Sequence, residues 1–448
     1  MTAPGGLHRR GENTMPQDAQ GFALNVLNRF AGSDLADKLG LRKPVEKSAY
    51  TLTKNGFRLV ATAARQFKGQ KLDKAARLAK PGHTTDLFDL NITEEQQMIR
   101  DSVRAFAQDV LRPAAHEADE KLHMGDEFFT QANELGLAMF SVPEAVGGAA
   151  TERSPVTSLL IAEDLANGDM GLALGILAPL SVANALTHWG TAQQQSSYLT
   201  AFGSEKPPVA TIAVNEPVPL FNPHKLATRA VRSGGGWLLN GSKSGVPMGN
   251  RAELLLVAAH TDAGPAVFIV ENGSNGISFS DGRGMGLRAA SLCDITFENV
   301  SLPAHAKLGA DDFDYAAFID FGNMAWAALA AGTAQSVLDY VIPYVNERVA
   351  FGEPISHRQS VAFMVANIGI ELEGMRLLAL RAASRAELGL DFHREAFLAR
   401  TCAAQRGMEI GTNGVQLLGG HGFTKEHPVE RWYRDLRAVG IQYNGLHL

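Results

Sequence analysis

Cysteine is scarce: the 448 residues hold two, Cys293 and Cys402, each within an apolar run. That excludes a disulfide framework and points to a reducing compartment, so a cytoplasmic location is expected. No apolar run follows the basic pair Arg9-Arg10, and no secretory signal is expected. Long hydrophobic runs are missing as well. The nearest, from Met170 to Leu186, contains Gly171, Gly175, Pro179, Ser181 and Asn184 and barely reaches the length of a membrane span. It reads as a pair of buried helices interrupted at Pro179. There is no P-loop and no zinc-protease helix motif. The thirteen histidines show no ligand pairing on a helix face, so no metal is expected. Gly282, Gly284 and Gly286 lack the dinucleotide-binding spacing and read as a loop.

What is present is an ordinary globular balance, 45% apolar and 20% charged, in a chain long enough for two or three domains. The net charge of −6 is uneven: between residues 22 and 80, thirteen basic side chains face four acidic ones. Such asymmetry marks an appended segment. Within it, Phe22, Val26, Leu27 and Phe30 share one helical face, and Phe57, Val60, Ala64 and Phe67 another. A basic amphipathic helix can lie on an anionic membrane surface or contact nucleic acid. The preferred reading is solvated helices packed on the next domain. Peripheral membrane contact through residues 22–80 comes second, and no nucleic-acid partner is expected.

Four regions follow from the periodicity. Residues 1–90 form an extension with a disordered, Gly-rich start. Residues 91–207 are an N-terminal α domain opened by the capping-box pair Thr93 and Gln96. In it Ile99, Val103, Phe106 and Val110 share one face, and breaks are expected at Pro113, Pro143 and Gly147-Gly148. Residues 208–310 carry short β-type runs at Val209–Val214, Trp237–Leu239, Leu254–Ala258, Ala266–Val270 and Ile295–Phe297. Turns are expected at Asn240-Gly241 and Asn272-Gly273. Residues 311–448 are helical again, with Pro343 and Pro354 as breaks or loops. Segregated elements of this kind make an α+β fold: an N-terminal α-helical domain, a central β-barrel or sandwich, and a C-terminal four-helix bundle.

Two segments can carry chemistry. In Gln416-Leu-Leu-Gly419-Gly420-His421-Gly422-Phe423, closely spaced glycines bare backbone N–H groups after a helix; a plain C-cap and turn is the competing reading. In Arg348-Val-Ala-Phe351-Gly352, with Gln359 downstream, the guanidinium can fork onto a phosphate and the ring can stack. Taken in order, the two resemble the C-terminal domain of acyl-CoA dehydrogenases. Other stretches agree: Val142-Pro143-Glu144, Trp189-Gly-Thr191 with Gln195, Asn215-Glu216-Pro217, Leu239-Asn240-Gly241-Ser242-Lys243, Phe297-Glu298-Asn299-Val300 and Arg434-Asp435.

The resemblance implies non-covalent FAD. Arg348, Phe351 and Gln359 would lie at its pyrophosphate and adenine end, completed by Gln416, Gly419, Gly420 and Gly422 of a neighbouring subunit. It further implies α,β-dehydrogenation of an acyl-CoA thioester, electrons passed to an electron-transferring flavoprotein, and a homotetramer or dimer. The base is where the sequence departs from the family. The two family positions for the proton-abstracting glutamate fall on Ala325 and on Tyr443 or Asn444, and none is a carboxylate. The nearby carboxylates Asp320, Glu430 and Asp435 read as solvated or ion-paired. On the flavin-facing strands Phe221 stands for a serine and Gly245 for a stacking indole. The catalytic residue is therefore unknown. Two alternatives stand beside the dehydrogenase: a non-catalytic subunit that completes the FAD site of an active paralogue as a heteromer, and another flavin reaction on the same fold, such as an oxygenase.

Overall fold

The computed structural model describes residues 90–137, 141–146, 148, 153–204 and 206–448. The basic segment 22–80 and the expectations attached to it lie outside the described residues. The first described helix, α1 (Glu94–Phe106), opens on the anticipated capping box: Thr93 accepts from the Gln96 N–H, and the Gln96 side chain accepts from the Thr93 N–H. It does not break at Pro113. A π-helical turn (Ala107–Leu111) carries it into α2 (Arg112–Lys121), and Pro113 sits in the first turn, where a missing N–H costs little. After α3 (Asp126–Glu134) come α4 (Pro155–Gly168), α5 (Met170–Trp189) and α6 (Ala192–Phe202).

The pair of helices expected around Pro179 is one helix, α5, with the proline inside it. The carbonyl left without its i+4 partner belongs to Gly175, whose backbone is free to adjust. The helix is long and apolar enough to cross a membrane by composition, but 94% of its apolar window is buried inside the protein.

The β region is a seven-stranded mixed sheet ordered β1-β4-β2-β3-β7-β6, with β5 on β4. Its strands are β1 (Ala210–Ala213), β2 (Arg229–Ser233), β3 (Gly236–Pro247), β4 (Leu254–Thr261), β5 (Gly264–Glu271), β6 (Ile277–Asp281) and β7 (Leu292–Leu302). Asn240-Gly241 is not a turn. It lies within β3 at a register shift against β7, with Gly241 at φ 145°. The β2–β3 turn is made instead by Gly234-Gly235, both at positive φ.

The C-terminal bundle comprises α7 (Tyr315–Glu347), α8 (Gln359–Glu387), α9 (His393–Leu418) and the short α10 (Val429–Ala438), with a two-strand ribbon, β8 (Val349–Ala350) and β9 (Glu353–Pro354), between α7 and α8. Pro343 does not break α7; it sits in its last turns. One apolar core joins α1–α5 to the bundle, and a second joins α5 and α6 to β1 and β4.

Buried carboxylates fasten the sheet to the helices. Asp435 on α10 accepts from the Leu287 N–H at 2.6 Å, and Arg434 forks onto Asp119 of α2 at 2.9 Å. Asp169, the N-cap of α5, meets Arg431 at 3.1 Å. Burial, and then the negative charge of Asp169, pushes the Asp435 carboxyl up to about 7. An unfolded aspartate releases its proton near 3.9, whereas the folded one keeps it until about 7. The folded state thus binds more protons across that window, and this group's contribution to stability falls as pH rises through it. Asp435→Asn keeps the acceptor for Leu287 and removes the titration. Thermal melts from pH 5 to pH 8 should fall less steeply for the variant than for the parent; identical slopes would remove the carboxyl from the account.

Candidate functional site

Two concavities flank one segment, residues 440–448. The first is a cavity of about 360 Å³ among α1, α4, α5 and α7. Ile99, Ile161, Leu177 and Leu180 give it an aliphatic side, Glu95, Thr157, Ser181 and Asn184 a polar one, and Leu446, His447 and Leu448 close it. The second is an open cleft of about 520 Å³ between the loop after β1 and the middle of β3. Its walls include Asn215, Phe221, Ser244 and Gly245 on one side and Gly440, Gln442 and Tyr443 on the other.

Hydrogen bonds stitch the segment to the sheet. The Asn444 side chain is fully buried. Its Oδ1 accepts from the N–H groups of Val214 and Asn215 at 2.7 and 2.8 Å. Its Nδ2 donates to the carbonyls of Ser244 and Gly245 at 2.8 and 2.9 Å. Asn215 reaches back, donating to the Ile441 carbonyl at 2.8 Å and accepting from the Tyr443 N–H at 2.6 Å. The last residues are held by the helices. Trp189 Nε1 donates to His447 Nε2 at 3.1 Å, Asn184 donates to the His447 carbonyl at 3.2 Å, and Arg153 donates to the Leu448 carbonyl. Burial, with Arg153 and His188 nearby, holds the His447 imidazole well below its usual range. His188 is likewise pushed down to about 4, by burial and then Arg153.

The sequence-derived base positions can now be placed. Ala325 is buried and contributes a methyl to the cavity wall. Tyr443 packs edge-on against Phe221, with the Arg400 guanidinium 4.8 Å from its ring centroid. Asn444 faces neither concavity; its amide is spent on the sheet. Gly245 sits at φ +59°, and a Cβ there would lie 2.7 Å from Gln442 Nε2, so Gln442 fills the space expected of an indole. Asp320, Glu430 and Asp435 are all engaged, with His393, Arg434 and the Leu287 N–H respectively. Among the described residues that line the cavity, the one carboxylate side chain is Glu95, on the first turn of α1.

The other expected residues lie on two surface turns. Arg348 caps α7, Gln359 opens α8, and both are exposed. Phe351 is 94% exposed and held at φ +56°, in the left-handed region a bulky residue avoids. Arg358 lies 5.3 Å from its ring centroid. Gln416 is in the last turn of α9, and Gly419 caps that helix at φ +59°, which makes the segment a C-cap followed by a turn in which Gly420 is exposed and Gly422 is buried against the Val415 backbone. Among the described residues, no hydrogen bond, ion pair or ring contact joins this turn to the Arg348–Gln359 turn. Sequence reasoning missed His447, Arg153 and Asn184, whose roles come from the tertiary path of the last residues.

A helical domain, a mixed sheet and a helical bundle around a cleft and a half-aliphatic cavity define the three-domain scaffold of acyl-CoA-oxidising flavoenzymes. The comparisons agree. The chain matches the acyl-CoA dehydrogenase N-terminal domain over residues 93–206, the middle domain over 211–300 and the C-terminal domain over 315–443. It is 34% identical to cyclohex-1-ene-1-carbonyl-CoA dehydrogenase of Geobacter metallireducens, covering 79% of this chain and 95% of that one. It is also 34% identical to the short/branched chain specific acyl-CoA dehydrogenase of Rattus norvegicus, covering 79% and 83%. Butyryl-CoA dehydrogenase from Megasphaera elsdenii superposes with a TM-score of 0.73 at 28% identity, over 80% and 96% of the two chains. This chain belongs to the acyl-CoA dehydrogenase family. A solved chain that shares its fold at 23% identity, with a TM-score of 0.72, is an FAD complex.

Proposed function

We propose that the chain is a flavin oxidoreductase of the acyl-CoA dehydrogenase type, acting on the CH–CH bond beside an acyl-CoA thioester in the cytoplasm. The observation that carries this reading is the segment 440–448, which lines the cavity on one face and the cleft on the other. The acyl group occupies the cavity, its chain against the aliphatic side formed by Ile99, Ile161, Leu177 and Leu180. The cleft fits the ring end of FAD: it is open and bounded by the irregular stretch of β3 at Ser244 and Gly245. Arg348, Phe351 and Gln359 suit the pyrophosphate and adenine, with Gln416, Gly419, Gly420 and Gly422 from a second copy in a dimer or tetramer. FAD, when bound, would supply the two-electron acceptor, and an electron-transferring flavoprotein would take the electrons onward. Phe363, Ile370 and Leu377 on α8, exposed at seven-residue intervals, offer a helical seam for the second copy.

Proton removal is the weak point of the chemistry. His447 is held neutral with too low an affinity for a proton to serve well, and Glu95 is the carboxylate available on the cavity wall. The saturated amide of Asn444 favours a second reading, a non-catalytic subunit that completes the site of an active paralogue. Anaerobic addition of short and branched acyl-CoAs to the purified yellow protein separates the two. Bleaching of the flavin absorbance, lost in Glu95→Gln, supports the enzyme. A flavin that stays oxidised across the series, or binds only in complex with a paralogue, supports the second reading.

A further inference from the structure

The turn between α9 and α10 brings together groups that the proposed function does not use. His421, Glu426 and His427 each offer a ligand atom, and these atoms all lie within 4.8 Å of one another. His421 Nδ1 is already 3.5 Å from Glu426 Oε2. The two imidazoles stand perpendicular, 5.8 Å between centroids, so their nitrogens converge rather than stack. Tetrahedral zinc with bonds of about 2.0–2.1 Å places its donors roughly 3.3 Å apart, so the His421–Glu426 contact is already near that spacing and no edge needs to shorten by more than about 1.5 Å. His421 and Glu426 are exposed and His427 half-buried, so rotamer changes suffice.

The surroundings hold the turn for such a ligand set. The Tyr340 hydroxyl on α7 lies 2.6 Å from His427 Nδ1, which fixes the ring and leaves Nε2 as the nitrogen for a ligand. A metal-bound His427 would donate its Nδ1–H to the Tyr340 oxygen, the usual support for a ligating imidazole. Thr424 bonds the His421 carbonyl through its N–H at 3.2 Å and its hydroxyl at 2.9 Å, closing the turn between the first ligand and the other two. Lys425 pairs with Glu120 of α2, which anchors the far side. Two imidazoles and one carboxylate are borderline donors that suit zinc(II) over magnesium or calcium.

We propose that His421, Glu426 and His427 bind one zinc(II) ion per chain, with the fourth position left to water or an anionic oxygen. The sequence expectation of no metal searched helix faces, whereas this set is assembled by a 3-10 turn and a loop. Its ligands include none of the proposed cofactor residues, although His421 lies between Gly420 and Gly422 of the turn that the flavin reading gives to a second copy, and the zinc titration reads the site without requiring flavin. The test uses the full chain as purified, with any affinity tag removed, dialysed against a chelator and titrated with zinc(II) in competition with a chromogenic chelator. One equivalent is expected to bind. His427→Ala and His421→Ala should each lower affinity at least tenfold with the circular dichroism unchanged, and Tyr340→Phe about tenfold. Cobalt(II) in place of zinc should give the intense visible bands of a tetrahedral ion, lost in His427→Ala. Absence of stoichiometric zinc, or affinity unchanged in the His421→Ala/His427→Ala double variant, would overturn the proposal.

Discussion

Lys243→Met is expected to cost about 3–5 kcal/mol of folding stability, read as a lowered midpoint in urea unfolding. Lys243 is the largest charged side chain fully enclosed in the sheet. Its Nζ donates to the Val214 carbonyl at 2.9 Å and to Glu216 Oε1 at 3.0 Å. Burial pushes the ammonium down to about 8, with Glu216 pulling the other way, so it stays charged at neutral pH. Glu216 in turn accepts from the N–H groups of Ala227 and Thr228 at 2.6 and 2.8 Å. Burial raises its pKa, but Lys243 and those donors outweigh it and leave the net shift downward. Removing only the cation strands a buried carboxylate, and that stranded charge is the source of the cost. The double variant Lys243→Met/Glu216→Gln should therefore be more stable than the single one. A single variant within about 1 kcal/mol of the parent would refute the argument. Because Asn215, Glu216, Ser244 and Gly245 wall the cleft, the single variant should also lose bound flavin.

The same pair shows what could be read in advance. Asn215-Glu216-Pro217 and Asn240-Gly241-Ser242-Lys243 stand out as motifs, yet their pairing needs the chain leaving β1 to run beside β3, where the Ser244 N–H meets the Asn215 carbonyl at 3.0 Å. Strands with a dense apolar pattern, such as Leu254–Ala258, were legible because burial demands it. β2 and β6 were not: Ala230 is the one buried position of β2, and β6 has none. Prolines misled for a physical reason. Pro113 lies where a helix tolerates a missing N–H, Pro179 where its neighbour at i−4 is glycine, and Pro343 in the last turns of a long helix. Of the residues proposed for the FAD site, Arg348, Phe351, Gln359 and the glycine turn were visible as local motifs. The cavity anchors Asn184 and Arg153 and the ligand set at His421 were not, because each is completed by residues distant in sequence or by a turn whose shape the residue types do not dictate.

Asn444 invites the substitution that would restore the family's carboxylate, and that substitution is expected to fail. A glutamate at 444 has no path to the cavity or the cleft, since the side chain at this position points between β1 and β3. Asn444→Glu should gain no acyl-CoA-dependent flavin reduction and should lose stability. Asn444→Asp makes the reason measurable. An aspartate can still accept from Val214 and Asn215, but it presents a second carboxylate oxygen to the carbonyls of Ser244 and Gly245, where the amide donated. Two buried acceptors lose their donors beside an uncompensated charge, at a cost of about 3 kcal/mol or more near neutral pH. The folded state would hold the proton of the introduced carboxyl above its ordinary range, so the deficit should grow as pH rises from about 4 and shrink as it falls. Urea unfolding of parent and variant at pH 4.5 and pH 7.5 reads this directly: the gap should be wider at the higher pH. A gap that does not change with pH would mean that Asn444 is not the donor to both carbonyls. An amide can accept two bonds from one strand and donate two to the other without a charge, which a hydroxyl with its single donor cannot, and this ties the identity of residue 444 to closing the sheet rather than to moving a proton.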